Sequence, residues 1–105
     1  MKSNIFKNLP TDLTDEHFQD LLKTPNVRIE RVVSHGNNSP TVGWYDQNED
    51  EWVMVLQGEG WLEFTGGREV RLQVGDFIHI PAHTQHKVSH TQADGITVWL
   101  AVFFS

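Results

Sequence analysis

Two short stretches contain the residue types that bind a metal or transfer a proton inside a small protein. In the first, EWVMVLQG, Glu51 precedes Gly58 by seven residues. In the second, GDFIHIPAHTQH, Gly75 precedes Pro81 by six residues, and His86 follows five residues later. A carboxylate and an imidazole are common metal ligands and common proton donors and acceptors. The two stretches therefore indicate an ionisable site if the fold brings Glu51 and His86 together.

The sequence after residue 26 has the pattern of an all-β protein, in which short apolar segments alternate with turn signals. Eight short strands about ten residues apart predict a sandwich or barrel. The last of them, ITVWLAVFF, is apolar on both faces, so we expect it to be central in the sheet or covered by a second copy in a homodimer. The predicted strands span residues 27–33, 41–45, 51–56, 60–65, 69–73, 76–80, 85–90 and 96–104.

The stretch TDLTDEHFQDLLKTPN predicts one short helix. Thr14 is a candidate N-cap, and acidic residues follow in the first turn. Phe18, Leu21 and Leu22 share one face at helical spacing, and Pro25 ends the segment. We therefore expect residues 1–26 to form a helical extension packed on a β-barrel of residues 27–105, the two parts making a single domain.

Together the two stretches resemble the signature motifs of the cupin superfamily, which are small jelly-roll β-barrels. Glu51 and Gly58 match the first motif, and Gly75, Pro81 and His86 match the second. The resemblance extends over about residues 27 to 104 and is strongest to small bacterial single-domain, RmlC-like cupins. It implies a double-stranded β-helix with the functional site inside the barrel.

The first motif departs from the cupin pattern, because cupins carry a pair of histidines, spaced HxH, before the glutamate. With a four-residue gap before Glu51 the corresponding positions are Trp44 and Asp46, and with a three-residue gap they are Tyr45 and Gln47. Both alternatives lack imidazoles, and the first offers Asp46 as an oxygen donor.

Strand alternation gives a second group of candidates. Period two places His90 on the same face as His86, so we expect both to point into the barrel. With the ligand positions that the resemblance implies, the predicted metal site consists of Asp46, Glu51, His86 and His90, and such a set suits Fe, Mn, Ni or Zn. The alternative is a metal-free barrel in which Glu51 and His86 form hydrogen bonds in a polar pocket.

Two further residues are candidates for proton transfer. Tyr45 adjoins or replaces a ligand position, and His83 lies in the turn before His86, either at the barrel mouth or simply exposed.

His79 lies between Ile78 and Ile80 on one strand, so its side chain takes the opposite face from theirs. Burial of the isoleucines argues against a role for His79.

Composition narrows the classes of function. The 105 residues are 38% hydrophobic and 21% charged, with a formal charge of −6 and no cysteine. An acidic chain without a basic stripe argues against a nucleic-acid partner, and no apolar run is long enough for a membrane span. We expect a cytoplasmic protein that binds a small molecule in the barrel. Three interpretations remain open: a metal-dependent enzyme, a metal-free binding or sensing module, and an acid–base isomerase or epimerase.

Overall fold

The computed structural model describes residues 2–38, 40 and 42–105 and contains eight strands in two antiparallel sheets. The five-stranded sheet has the order β1-β2-β8-β3-β6, and the three-stranded sheet has the order β5-β4-β7. The predicted all-β jelly roll is confirmed. The strands are β1 His17–Lys23, β2 Val27–Ser34, β3 Asp50–Gln57, β4 Gly60–Phe64, β5 Glu69–Leu72, β6 Phe77–Ile80, β7 His86–Thr91 and β8 Thr97–Phe104. No helix in the described part of the chain is long and apolar enough to cross a membrane.

The predicted N-terminal helix is wrong, because its residues form β1. This strand pairs antiparallel with β2 from His17 opposite Val33 to Lys23 opposite Arg28, and the register shifts between Asp20 and Leu22. An isolated helix of this length is marginal in water, whereas the free edge of β2 offers backbone hydrogen bonds along its whole length. The irregularity at Leu21 also explains why the apolar residues do not show simple strand alternation.

β8 is a central strand, paired with β2 on one side and with β3 on the other. This position accounts for its apolar character on both faces. The apolar faces of β8 therefore no longer require a second copy of the chain to cover them. The homodimer stays a prediction.

The predicted strand at 41–45 is not a regular strand in the structure. Thr41 lies outside the described residues, and Tyr45 forms an isolated antiparallel bridge with His86. The Tyr45 N–H donates to the His86 carbonyl at 2.7 Å, and the His86 N–H donates back at 3.1 Å. These two bonds hold Tyr45 beside His86 without a longer ladder.

The inward face of the five-stranded sheet changes from charged at the level of Phe103 to apolar at the level of Trp99. Strand register aligns the inward side chains of β2, β8 and β3 in rows across the sheet. The row at the polar end contains two charged groups, and the row at the other end contains none. From the polar to the apolar end the rows are Arg28–Phe103–Glu51, Glu30–Ala101–Val53 and Val32–Trp99–Val55.

A glycine on β4 makes room for the largest core side chain. The indole of Trp99 is only 3% exposed, and its six-membered ring lies against Gly60. A Cβ at Gly60 would overlap with two atoms of that ring. Because protein interiors are close-packed, such an overlap must be relieved by moving the indole or the strand.

We expect Gly60→Ala to destabilise the fold by about 1–3 kcal/mol or more, since the added methyl overpacks the core. Gly95→Ala is the matched control, because a Cβ there would meet only the end of the Gln92 side chain. Urea unfolding of the two variants measures the difference. Equal unfolding midpoints for both variants would contradict the packing of Trp99 on Gly60.

Candidate functional site

A cavity of about 290 Å³ lies between the two sheets. Its wall contains four polar side chains from the segment before β3, from β3 and from β7, namely Tyr45, Gln47, Glu51 and His86. Glu51 and His86 come from different sheets, because β3 belongs to the five-stranded sheet and β7 to the three-stranded sheet. The fold thus brings together the two residues that the sequence motifs single out.

Glu51 and His86 are in direct contact. His86 Nε2 lies 3.2 Å from Glu51 Oε1, and the Gln47 side-chain amide donates to the same oxygen at 3.0 Å. The other ring nitrogen of His86 lies 2.8 Å from the Thr84 carbonyl. A carbonyl only accepts, so Nδ1 carries a proton, and a carboxylate facing Nε2 favours a proton there as well. The geometry therefore favours an imidazolium–carboxylate pair.

The surroundings of His86 act on its pKa in opposite directions. Burial, with 3% of the residue exposed, disfavours the charged ring and is the largest single effect, lowering the pKa. The hydrogen bonds to Glu51 and Thr84 and the charges of Glu51 and Asp46 together outweigh burial and raise the pKa of His86 above its ordinary value. The pKa of His86 is therefore raised because a carboxylate and a backbone carbonyl both stabilise its protonated ring.

The structure decides between the two possible alignments of the first motif. Tyr45 and Gln47 line the cavity, which corresponds to the three-residue gap before Glu51. Asp46 lies on the exposed side, where its carboxylate contacts His83 at 3.2 Å and accepts a hydrogen bond from Gln85 at 3.4 Å. Tyr45 also places its ring 5.6 Å from the ring of His86.

His90 does not share the inward face of β7, although simple alternation places it there. Trp61 pairs with His90 but the next residue, Leu62, pairs with Val88, so Ser89 is an extra residue in β7. Such a bulge reverses the direction of the side chains that follow it. His90 is exposed and stacks on Trp61, with ring centroids 3.8 Å apart.

Tyr45 and His83 are the two residues predicted to transfer protons. Tyr45 lines the cavity, and His83 does not. The side chain of His83 is 70% exposed and its φ is +62°, an uncommon value for a residue other than glycine. Its backbone N–H donates to the Gln47 carbonyl at 2.8 Å. The structure therefore gives His83 a position that supports the segment carrying Gln47.

Of the four predicted metal ligands, Glu51 and His86 come together, whereas Asp46 and His90 lie outside the cavity. Within the described residues there is no group of three or more His, Cys, Asp or Glu side chains that could hold a metal ion. Glu51 and His86 supply two donors, and the neighbouring side chains are the amide of Gln47 and the phenol of Tyr45. Divalent transition metals in proteins are typically held by three or four imidazole, thiolate or carboxylate groups. The residues that converge here do not fit such an ion.

The cavity has a second charged group that the sequence analysis missed. The Arg28 guanidinium donates to Glu30 at 2.5 Å and to Glu49 at 3.0 Å, and it lies 4.1 Å from the centroid of the Phe103 ring. Burial raises the pKa of Glu30, the charge and hydrogen bond of Arg28 oppose that rise, and Asp20 adds to it. Alternation of charged residues with Ile29 in VRIERVV was the signal that these charges share one face.

We expect NMR titration to give His86 a pKa above that of an ordinary histidine, and Glu51→Gln to lower it. The substitution removes the negative charge while burial, which disfavours the imidazolium, remains. Glu63→Gln, on the outward face of β4, is the charge-matched control and should leave the titration of His86 unchanged. An unaltered His86 pKa in Glu51→Gln would contradict the pairing.

Stability should depend on pH through the same group. Because folding raises the pKa of His86, its stabilising effect is complete below the unfolded-state value of about 6.5 and is lost as pH rises through the folded-state pKa. We therefore expect the difference in unfolding free energy between wild type and His86→Gln to be larger at about pH 5.5 than at about pH 9. Urea unfolding at both pH values measures it, and a difference that grows with pH would refute this expectation.

Comparison with known proteins gives consistent results. Residues 32–103 match the family described as "Cupin domain". A putative mannose-6-phosphate isomerase from Ralstonia eutropha is 40% identical, with a TM-score of 0.93, and the match covers 100% of this chain and 98% of that one. None of the curated proteins matches the chain.

Two further solved structures share the fold at lower identity. A cupin superfamily protein from Desulfitobacterium hafniense has a TM-score of 0.75 and 20% identity, over 91% of this chain and 83% of the other. An RmlC-like cupin from Desulfovibrio desulfuricans has a TM-score of 0.76 and 19% identity, over 98% and 96% of the two chains. The matched domain spans most of the strands described above, and this chain therefore belongs to the cupin family.

Proposed function

We propose that this protein binds a small molecule in the barrel cavity and that Glu51 and His86 transfer protons to and from it without a metal. The observation that carries the proposal is the contact of His86 Nε2 with Glu51 Oε1 on the cavity wall. A buried carboxylate beside a protonated imidazole provides a base and an acid at one place.

The size of the cavity supports a small molecule. A volume of about 290 Å³ is at the lower end of the range for ligand pockets, which is roughly 300–1,000 Å³. About half of the lining residues are apolar, among them Val53, Leu62 and Trp99, and the others are polar or charged. This combination is typical of sites in which apolar walls hold a ligand and polar groups orient it.

The residues of the site have distinct proposed roles. Glu51 uses Oε1 for its hydrogen bonds with both Gln47 and His86, and we assign proton removal from the bound molecule to Oε2. His86 donates its Nε2 proton to the molecule, and the proton that Glu51 has taken up then passes to His86 or exchanges with solvent, which restores the imidazolium–carboxylate pair. Gln47 fixes the carboxylate, and Tyr45 forms a wall of the cavity beside the imidazole. The predicted proton-transfer role of Tyr45 stays a proposal.

The similar structure described as a putative isomerase is compatible with this chemistry. An isomerase that moves a hydrogen between neighbouring atoms needs a base to remove a proton and an acid to return one. The Glu51–His86 pair meets this requirement with residues already in place.

A second candidate is capture of the molecule without turnover. The imidazolium and the carboxylate neutralise each other in the structure, as expected of a pair that only shapes a polar pocket. The two candidates share the cavity and differ in whether a proton of the ligand exchanges with solvent.

The test begins with a metabolite library and ¹⁵N-labelled protein in buffer containing EDTA. Trp99 is the tryptophan that lines the cavity, so its indole N–H signal should shift on binding, and those of Trp44, Trp52 and Trp61 should serve as internal controls. For each compound that binds, hydrogen exchange into D₂O is followed by proton NMR. We expect Glu51→Gln and His86→Gln to slow this exchange by about 10²-fold or more.

Asp50→Asn is the matched control, because Asp50 forms a similar carboxylate–histidine pair with His79 that does not line the cavity. Its exchange rate should equal that of the wild type. Binding without exchange would favour capture over catalysis. A library in which nothing shifts the Trp99 signal, or a requirement for added metal, would refute the proposed function.

A further inference from the structure

The far end of the cavity wall contains a carboxylate that the proposed proton transfer does not use. Glu16 immediately precedes β1 and lines the cavity together with Phe18 of that strand. The Ser34 hydroxyl donates to Glu16 Oε2 at 2.7 Å. Among the described residues, no ion pair joins Glu16 to a lysine, arginine or histidine within 4.0 Å.

The cations that line the cavity are already neutralised. Arg28 forms ion pairs with both Glu30 and Glu49, and His86 pairs with Glu51. An anionic ligand would therefore have to enter beside Glu16 without a free cation to balance it. Placing two unbalanced negative charges in a partly buried site is strongly unfavourable.

Two aromatic rings lie in the row next to this carboxylate along the sheet, because Glu16 contacts Ser34 and the rings are at the level of Val32, two residues away. Phe18 pairs with Val32, and Val32 pairs with Trp99 across β2 and β8. Both rings line the cavity. Aromatic faces attract cations, and a carboxylate beside them adds a full negative charge. The combination suits an ammonium or similar onium group.

We propose that Glu16, Phe18 and Trp99 form a subsite for the cationic group of the ligand, and that the cavity rejects anionic ligands such as phosphorylated sugars. This inference rests on the proposed function, because it concerns the same cavity. Trp99 and Phe103 are four residues apart on β8, so the subsite lies roughly 13 Å along the strand from the level of Glu51. The ligand is thus a small molecule with a cation at one end and its reacting atoms at the other.

Three compounds of nearly the same shape test the charge preference: choline, its uncharged carbon analogue 3,3-dimethylbutan-1-ol, and the anion 3,3-dimethylbutanoate. Each is titrated into ¹⁵N-labelled protein at neutral pH, with the Trp99 indole signal as the readout. We expect choline to bind about tenfold more tightly than the alcohol, which is the size of a partly desolvated cation–aromatic contact, and the carboxylate to cause no shift.

Two variants assign the preference to Glu16. Glu16→Gln keeps the size of the side chain and an acceptor for Ser34 but removes the charge, and it should bind choline and the alcohol equally. Glu63→Gln makes the same change in net charge outside the cavity and should keep the wild-type preference. Loss of the preference in Glu63→Gln would point to general surface charge and overturn the role of Glu16.

The outcomes separate this inference from the proposed function. Tighter binding of the alcohol or of the carboxylate than of choline, read at Trp99, would overturn the cationic subsite while supporting the cavity as a binding site. If none of the three compounds shifts Trp99, the cationic subsite is refuted, and the library screen decides the proposed function independently.

Discussion

The buried pair of Glu51 and His86 is the interaction on which the interior of this barrel depends. One partner belongs to the five-stranded sheet and the other to the three-stranded sheet, so their contact links the two layers. Taking two charges out of water costs several kcal/mol for each ion, and only good hydrogen bonding offsets that cost. Here Gln47 donates to the carboxylate and Thr84 accepts from the imidazole. Removing Glu51 would leave the imidazolium of His86 without its charged partner in a position where burial disfavours the charge.

The residues at 45 and 47 suit this pair better than they suit a metal. In the cupin pattern, histidines at these two positions would add two imidazoles beside Glu51 and His86. Tyr45 and Gln47 instead supply a ring and an amide, and the amide donates to Glu51 Oε1. A carboxylate oxygen that already accepts from an amide and an imidazolium has less electron density to offer a cation. This end of the interior is thus organised around the hydrogen bonds of Glu51 and His86.

Much of the fold was predictable because the relevant signals are local. The motif glycines, Pro81 and the regular strand spacing led to an all-β jelly roll, and the two motifs identified Glu51 and His86 as partners. The choice between Asp46 and Gln47 was not predictable, since the gap before Glu51 allowed both alignments and only the bridge between Tyr45 and His86 fixes which side chains turn inward.

The remaining errors come from irregularities that alternation does not reveal. Leu21 and Leu22 beside Phe18 fit a helix as well as a strand with an irregular register, and the open edge of β2 decided between them. This error also hid Glu16 and Phe18 from the predicted site. The extra residue Ser89 turns the side chain of His90 away from the barrel interior, where alternation places it. No glycine or other turn residue marks that bulge in the sequence.

The register of β8 explains why the charged groups form separate pairs. Phe103 of β8 lies between Arg28 of β2 and Glu51 of β3 in one row across the sheet. Because β8 separates them, β2 and β3 are about 10 Å apart. The Arg28 guanidinium covers the ring of Phe103 and binds Glu30 and Glu49.

A direct ion pair with Arg28 would hold Glu51 permanently ionised and weaken it as a base, because arginine remains charged at all relevant pH values. With Phe103 in between, Glu51 instead has a partner that can lose its proton. One aromatic residue in a central strand therefore separates the ion pairs of Arg28 from the Glu51–His86 pair, and the proton transfer that we propose depends on this separation.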